Sequence, residues 1–303
     1  MLVIFYLERM LNMNKKVNKY RRTKITRGEP PNFSGQHLMH NKKLISEIIS
    51  LGEIEKRETV LDLGAGKGAL TSSLIHKAGR VLAVEYDSKF IAVLKENFDC
   101  HSNINIIHQD ILKIHLPKEP FVVISNIPYA ITTPIMMKLL NNPLNYFQRG
   151  VIVMEKGAAK RFTSNYVKDP YVIAWRMWFD IRYVKGISRK NFSPPPKVDS
   201  AMVKINRKAN PIVPYSDYLV FWGLVDYVLK NPQLSLDYAL RGAFTVPQIK
   251  RLKRNLRLKK EIPVAELTEE QWGILYETMV KHVPKFRWPR IRKEKLNHYR
   301  RQK

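Results

Sequence analysis

Val60-Leu-Asp-Leu-Gly-Ala-Gly-Lys-Gly-Ala-Leu-Thr71 decides the fold. The apolar run Val60 to Leu63 predicts a short buried strand. Gly64, Gly66 and Gly68 follow at alternate positions, and the residues after them predict a helix over 68–78. A glycine turn between strand and helix lets a ligand approach the backbone, because no Cβ stands in the way. It also leaves helix N-terminal N–H groups free to donate. At the carboxyl end of a parallel strand, such a turn is where open α/β sheets bind nucleotide-like ligands.

The glycines are spaced G-x-G-x-G, not the G-x-G-x-x-G of dinucleotide-binding turns. Asp62 stands two residues before the first of them. The pattern resembles the first motif of Rossmann-like S-adenosylmethionine (SAM) methyltransferases; dinucleotide binding and a plain tight turn are the other readings. Two later strands narrow the choice. Val81-Leu-Ala-Val-Glu85 ends in an acid about 20 residues after the glycines, where a ribose-binding acid stands. The alternative for Glu85 is a solvated acid at a strand end. Ile104-Asn-Ile-Ile-His-Gln-Asp110 ends the same way. In the SAM enzymes that it resembles, an acid here takes the adenine amino group.

Strands and helices alternate outward from this core. A helix over 87–99 follows the second strand, and Phe121-Val-Val-Ile-Ser125 and Gly150-Val-Ile-Val-Met154 supply a fourth and a fifth. Lys156 to Phe162 predicts a basic helix; Ile173–Ile187 and Val198–Ile205 are read as closing strands. The alternation predicts a parallel sheet with helices on both faces. Composition shifts near Arg207. Beyond it come helical patterns at 215–230, 235–244, 246–256 and 268–282, with Thr268-Glu-Glu-Gln271 fitting a capping box. The expected fold class is therefore α/β: a Rossmann-like methyltransferase sheet over 34–207, then a small C-terminal helical domain over 208–282.

The 303-residue chain carries a formal net charge of +27, which points to a polyanionic partner, most simply nucleic acid. The cations cluster. Lys15 to Arg27 holds seven basic residues and no acid, and Lys281 to Lys303 holds ten and one. Residues 1–33 are read as an extension and basic arm, 283–303 as a basic tail. Phe286, Trp288 and Tyr299 interleave with the tail's charges as stacking groups. The apolar start, residues 1–12, is too short to span a bilayer and lacks the layout of a signal peptide. It is read as an upstream extension ahead of Met13, with a membrane-surface anchor as the alternative. One cysteine, Cys100, excludes an intramolecular disulfide framework and fits a reducing cytoplasm. Scattered histidines give no metal-ligand spacing. The expected protein is a cytoplasmic monomer with no membrane partner and no metal.

Asn126-Ile-Pro-Tyr129, at the end of the fourth strand, carries the chemistry. It resembles the motif of enzymes that methylate an exocyclic amino group, chiefly adenine N6. That nitrogen is a poor nucleophile because its lone pair is delocalised into the ring. Two acceptors on its protons, the Asn126 amide oxygen and the Ile127 carbonyl, would pull it towards tetrahedral geometry. Pro128 stiffens the turn. Tyr129 offers a face to a flipped base. The competing reading is a strand-ending Asx turn with proline. Phe192 is read either as a cover for the other face of the base or as packing.

With Gly35-Gln-His-Leu-Met39 and Phe192-Ser-Pro-Pro-Pro-Lys-Val198 added, these motifs resemble the ribosomal RNA adenine N6-dimethyltransferases from about residue 30 to 282. Gln271-Trp-Gly-Ile-Leu-Tyr276 and the basic tail are similar to the erythromycin-resistance (Erm) branch. The resemblance implies SAM as cofactor, held by Gln36, His37, Met39, Gly64, Gly66, Glu85, Asp110 and Asn126. It also implies mono- and dimethylation of an adenine of 23S rRNA, before or during ribosome assembly, and resistance to macrolides, lincosamides and streptogramin B. The alternatives are the 16S rRNA branch, a non-catalytic nucleic-acid-binding relative, and a nicotinamide oxidoreductase. His37 and Leu38 depart from the family pattern, which has Asn and Phe there.

Overall fold

Asn41 starts the first helix: its side chain accepts from the N–H groups of Lys43 and Leu44 at 3.0 and 3.2 Å. The computed structural model describes residues 37–258 and 260–291. Gln36, the extension, the basic arm and residues 292–303 lie outside them.

In chain order the first elements are β1 (Leu38–Met39), α1 (Lys42–Leu51), β2 (Thr59–Leu63), α2 (Thr71–Leu74), β3 (Arg80–Glu85), α3 (Ser88–Phe98), β4 (Ile104–His108), β5 (Phe121–Asn126) and α4 (Thr132–Leu140). Then come β6 (Phe147–Glu155), α5 (Lys156–Thr163), α6 (Pro170–Trp178), β7 (Phe179–Ile187), β8 (Phe192–Ser193) and β9 (Ser200–Arg207). Four helices follow: α7 (Tyr218–Val228), α8 (Leu236–Ala239), α9 (Val246–Asn255) and α10 (Glu269–His282).

Seven strands form one sheet in the order β4-β3-β2-β5-β6-β9-β7. The first five run parallel; β9 is antiparallel to both its neighbours. The direction of winding reverses between β2 and β5. The crevice at a topological switch point is where open α/β sheets take ligands. The glycine turn after β2 and Asn126 at the end of β5 flank it.

All five residues of β2 are buried, and so are the first five of β5. Burial on both faces explains the near-continuous apolar runs. Val60, Val122 and Ile124 face a core built with Leu44, Ile48 and Ile49 of α1 and Leu94 and Phe98 of α3. Leu61, Leu63 and Val123 face the opposite core, with Ile135, Met136 and Leu139 of α4. That second core continues without a break into the helical region. Trp178 packs edge-on against Phe221, ring centroids 5.5 Å apart, and donates to the Val213 carbonyl at 3.0 Å.

Two local expectations need correction. Residues 173–178 belong to α6, so the run Ile173–Ile187 is half helix and half strand. Every residue from Val172 to Trp178 is buried, and a helix buried all round shows no amphipathic period. Only Thr71–Leu74 of the expected helix over 68–78 is helical: Gly68 is still at φ +87°, so the turn takes up the first positions. The segment before α1 carries a pairing of its own. Leu38 and Met39 pair antiparallel with Ser193 and Phe192, a two-stranded clamp separate from the main sheet. The capping box holds: Thr268 and Gln271 bond reciprocally at the start of α10. Among the described residues no helix is long and apolar enough to cross a membrane.

Candidate active site

At the end of β2 the chain passes through Gly64 (φ +81°) and Gly66 (φ +57°), backbone conformations that side chains with a Cβ rarely adopt. Contacts enforce the same choice. A Cβ on Gly66 would lie 2.8 Å from Leu38 Cδ2, and one on Gly64 3.3 Å from Pro128 Cδ. The clamp and the Asn-Ile-Pro-Tyr turn therefore both close on the glycine turn.

Glu85 ends β3 and is buried. Its Oε2 accepts from the Gly66 N–H at 2.8 Å, and its Oε1 accepts from Tyr86 and Asp87 N–H at 2.7 and 2.9 Å. It is no solvated strand-end acid. Asp62, one residue in from the end of β2, is 1% exposed and accepts from the Thr71 hydroxyl at 2.8 Å. Burial, helped by the nearby charge of Glu85, pushes its carboxyl up to about 7. Asp110, half-buried just past β4, accepts from the Leu112 N–H at 2.9 Å.

At the end of β5, the buried Ser125 hydroxyl accepts from the Leu63 N–H at 2.7 Å and joins the two strands that flank the crevice. Asn126 Nδ2 donates to the His37 carbonyl at 3.0 Å. Its Oδ1 is buried and has no hydrogen-bond partner among the described residues. Ile127 is buried and its N–H donates to the Val153 carbonyl at 3.0 Å. Tyr129 is half-buried, its ring 5.8 Å from that of His37, and its hydroxyl bonds Ser200 Oγ. Burial raises the Tyr129 phenol above its ordinary range, so it stays protonated at neutral pH. His37 Nδ1 lies 2.8 Å from the Pro194 carbonyl, an acceptor, so that nitrogen carries the proton.

The structure thus brings His37, Gly64, Gly66, Glu85, Asn126, Ile127, Pro128 and Tyr129 to one crevice, with Asp110 at the end of the adjoining β4. Met39 and Phe192 sit opposite each other in the clamp, with their side chains in the apolar core; Phe192 is 2% exposed. The packing alternative describes the Phe192 ring here. Thr71, Ser125, Pro194 and Ser200 escaped the sequence reading. Ser125 had a signal: a hydroxyl directly after the apolar run Phe121 to Ile124. Among the described residues no cluster of three His, Cys, Asp or Glu could hold a metal ion.

The family model described as "Ribosomal RNA adenine dimethylase" matches residues 31–281. The chain belongs to that family. Among curated dimethylase-family relatives, "rRNA adenine N-6-methyltransferase" of Bacillus licheniformis is 60% identical over 283 residues, 93% of this chain and 99% of that one. The protein of the same name from Bacillus anthracis is 59% identical over equal shares. The crystal structure of "23S rRNA methyltransferase ErmE" superposes with a TM-score of 0.72 at 25% identity, covering 80% of this chain and all of the other.

Proposed function

We propose that this dimethylase-family chain transfers methyl groups from SAM to N6 of an adenine in 23S rRNA, giving the mono- and dimethylated base. The observation that carries the reading is Asn126 Oδ1, a buried acceptor with no partner among the described residues, at the end of the strand that flanks the crevice. Such a group costs roughly 1–3 kcal/mol unless something donates to it. An exocyclic amine is a donor of the right kind.

The residues present fit SAM. The glycine turn has no Cβ to block a ligand, and Glu85 and Asp110 stand at the ends of successive neighbouring strands. A carboxylate has about four acceptor positions, and Glu85 uses three on backbone N–H groups. The fourth takes one ribose hydroxyl; a second requires exchange with the Gly66 N–H. Asp110 receives the adenine amino group, and His37 and Met39 contact SAM beside the turn, over which the Leu38 side chain lies. When bound, SAM supplies an electrophilic methyl group on its sulfonium.

The chain's own residues do the rest. Asn126 Oδ1 and the Ile127 carbonyl accept from the two N6 protons and bring the lone pair out of the ring plane. Tyr129 takes the flipped base on its ring face, with the ring angle set by Ser200. No side chain has to act as a strong base, because the nitrogen becomes acidic once alkylated. Rate comes from holding the amine in position.

The substrate choice follows the 23S rRNA named for the solved relative and the net charge of +27. The helical domain over 208–282 and the basic tail serve as further RNA contacts. The enzyme works as a monomer in the cytoplasm, on RNA before or during ribosome assembly. Resistance to macrolides, lincosamides and streptogramin B is the expected consequence. Methyl transfer from labelled SAM to protein-free 23S and 16S rRNA, followed by mapping of the modified base, tests this. Label on a single 23S adenine is expected. Label on 16S alone would transfer the reading to the small-subunit branch.

A further inference from the structure

Phe286 is 81% exposed, the most exposed large apolar residue described in the chain. It does not hang on a loose end. It lies in the short 3-10 turn Lys285–Arg287 directly after α10. On one side of it, Gln248 Nε2 of α9 donates to the His282 carbonyl at 2.6 Å. On the other, Arg287 Nη2 donates to the Gly242 carbonyl at 3.2 Å, and Trp288 Nε1 to the Val283 carbonyl at 2.7 Å. The next residue is packed too: Gly223 of α7 lacks a Cβ where the Pro289 carbonyl passes, and one built there would stand 2.4 Å from that oxygen. The turn is thus fixed at both ends, and it presents a phenyl ring to solvent.

The surroundings are cationic. Residues 281–291 carry Lys281, Lys285, Arg287 and Arg290 and no acid; Lys281 pairs with Glu277 one turn back at 3.0 Å, and the other three follow it. Arg287 reaches the turn at Gly242, next to Arg241. Arg241 is exposed and lies over the Tyr238 ring, 4.2 Å from its centroid, and that ring is itself largely exposed. An apolar partner surface would have to desolvate these charges. A nucleic-acid strand needs them: base faces stack on aromatic rings while neighbouring phosphates take the cations.

We propose that Phe286 is a stacking platform for an unpaired RNA base, with Arg241 and Lys285 holding the adjacent phosphates. This rests on the RNA-methylating reading but lies outside the catalytic crevice. It makes the end of α10 a second contact that grips substrate RNA without taking part in methyl transfer.

The test uses the full chain and protein-free 23S rRNA, with affinity measured over a salt series and methyl transfer over an RNA series. Phe286→Ala should weaken RNA binding by about 5- to 150-fold, the range of one base–aromatic stack. Its salt slope should not change, because no charge is lost. KM for RNA should rise, with kcat and SAM affinity unaltered. Phe286→Trp should bind like the wild type. Lys285→Gln should instead lower the salt slope by roughly 0.7–0.9. Wild-type affinity in Phe286→Ala, alongside normal methyl transfer by the unmodified protein, overturns this proposal and leaves the enzyme reading standing. Failure of the unmodified protein to methylate any rRNA overturns both.

Discussion

Asn126 Nδ2 donates to the main-chain carbonyl of His37 at 3.0 Å, and that one bond decides which end of the amide is left without a partner. With the donor end committed to the clamp, the acceptor end is left buried and unpaired. A side chain that could rotate freely would offer either end. The His37 carbonyl, beside the clamp, therefore orients the amide proposed to hold the target amine. The contact does not depend on the side chain at position 37, because a carbonyl oxygen is present whatever residue stands there.

Asn126→Ala removes one of the two acceptors proposed for the target amine. Single-turnover methylation of a 23S fragment at saturating SAM should slow by about 10²–10³, by analogy with loss of one oriented polar group at a reacting centre. RNA affinity should barely change, because most of it comes from phosphate contacts. Asn126→Asp is the sharper variant. Its oxygens cannot donate to the His37 carbonyl, so the orientation is lost although an acceptor remains, and it too should be slow. A wild-type rate in either would remove Asn126 from the mechanism.

Glu85→Ala strips acceptors from the N–H groups of Gly66, Tyr86 and Asp87, and the one proposed for the ribose. Hydrogen bonds to a charged group contribute roughly 1.5–3 kcal/mol each. SAM affinity by calorimetry should fall by about that much, and unfolding in urea should move to lower concentration, since the glycine turn loses its tie to β3. Stability unchanged with SAM binding lost would mean that the backbone donors find water readily. SAM affinity unchanged would remove Glu85 from the cofactor site.

Asp62 predicts a pH effect whose sign is set by the direction of its shift. Its carboxyl is raised from the ordinary 3.8 to about 7. Between those values the folded chain binds a proton that the unfolded chain has released. The contribution of this group to stability is therefore greatest in acid and falls as pH rises from about 4 to about 7. A shift of this size corresponds to on the order of 4 kcal/mol. Asp62→Asn cannot ionise and can still accept from Thr71. Its stability relative to the wild type should improve steadily across that window in urea titrations. A constant difference from pH 4 to 7 would show that Asp62 titrates normally.

The strand ends were legible because β2, β3 and β5 are short and almost wholly buried, so each is a compact apolar word with a polar residue at its close. Asn126 could be read from its neighbours alone. What could not be read is pairing at long range. The clamp joins residues such as Asn41 and Asn191, 150 apart, by a 2.7 Å side-chain bond that leaves no periodic trace. Two-residue strands are too short to alternate. The helix α6 was hidden for the opposite reason: it is buried on every side. Phe192 shows the limit of motif reading, since a motif position says nothing of whether its ring faces the crevice or the core.

Tyr129 and Ser200 form a pair that the sequence does not connect. The Tyr129 hydroxyl bonds Ser200 Oγ, at the start of β9, and Ser200 is fully buried. Tyr129→Phe keeps the ring face but leaves the serine hydroxyl short of a partner in a dry site. Ser200→Ala leaves the phenol short in the same way. Each single change should cost roughly 1–3 kcal/mol of stability, the penalty for stranding a buried polar group. The double variant, Tyr129→Phe with Ser200→Ala, removes both partners and should recover most of that loss, a positive coupling in the double-mutant cycle. Activity should follow a different pattern. Tyr129→Phe should retain most methyl transfer, because stacking needs only the ring, whereas Tyr129→Ala should lose a stack worth roughly 1–3 kcal/mol. Urea unfolding of the four proteins of the cycle, with single-turnover rates alongside, separates the two roles. Additive stability losses would mean that the hydroxyls do not depend on each other. A Tyr129→Phe enzyme as slow as Tyr129→Ala would mean that the hydroxyl, and through it Ser200, acts in the chemistry and does more than hold the ring.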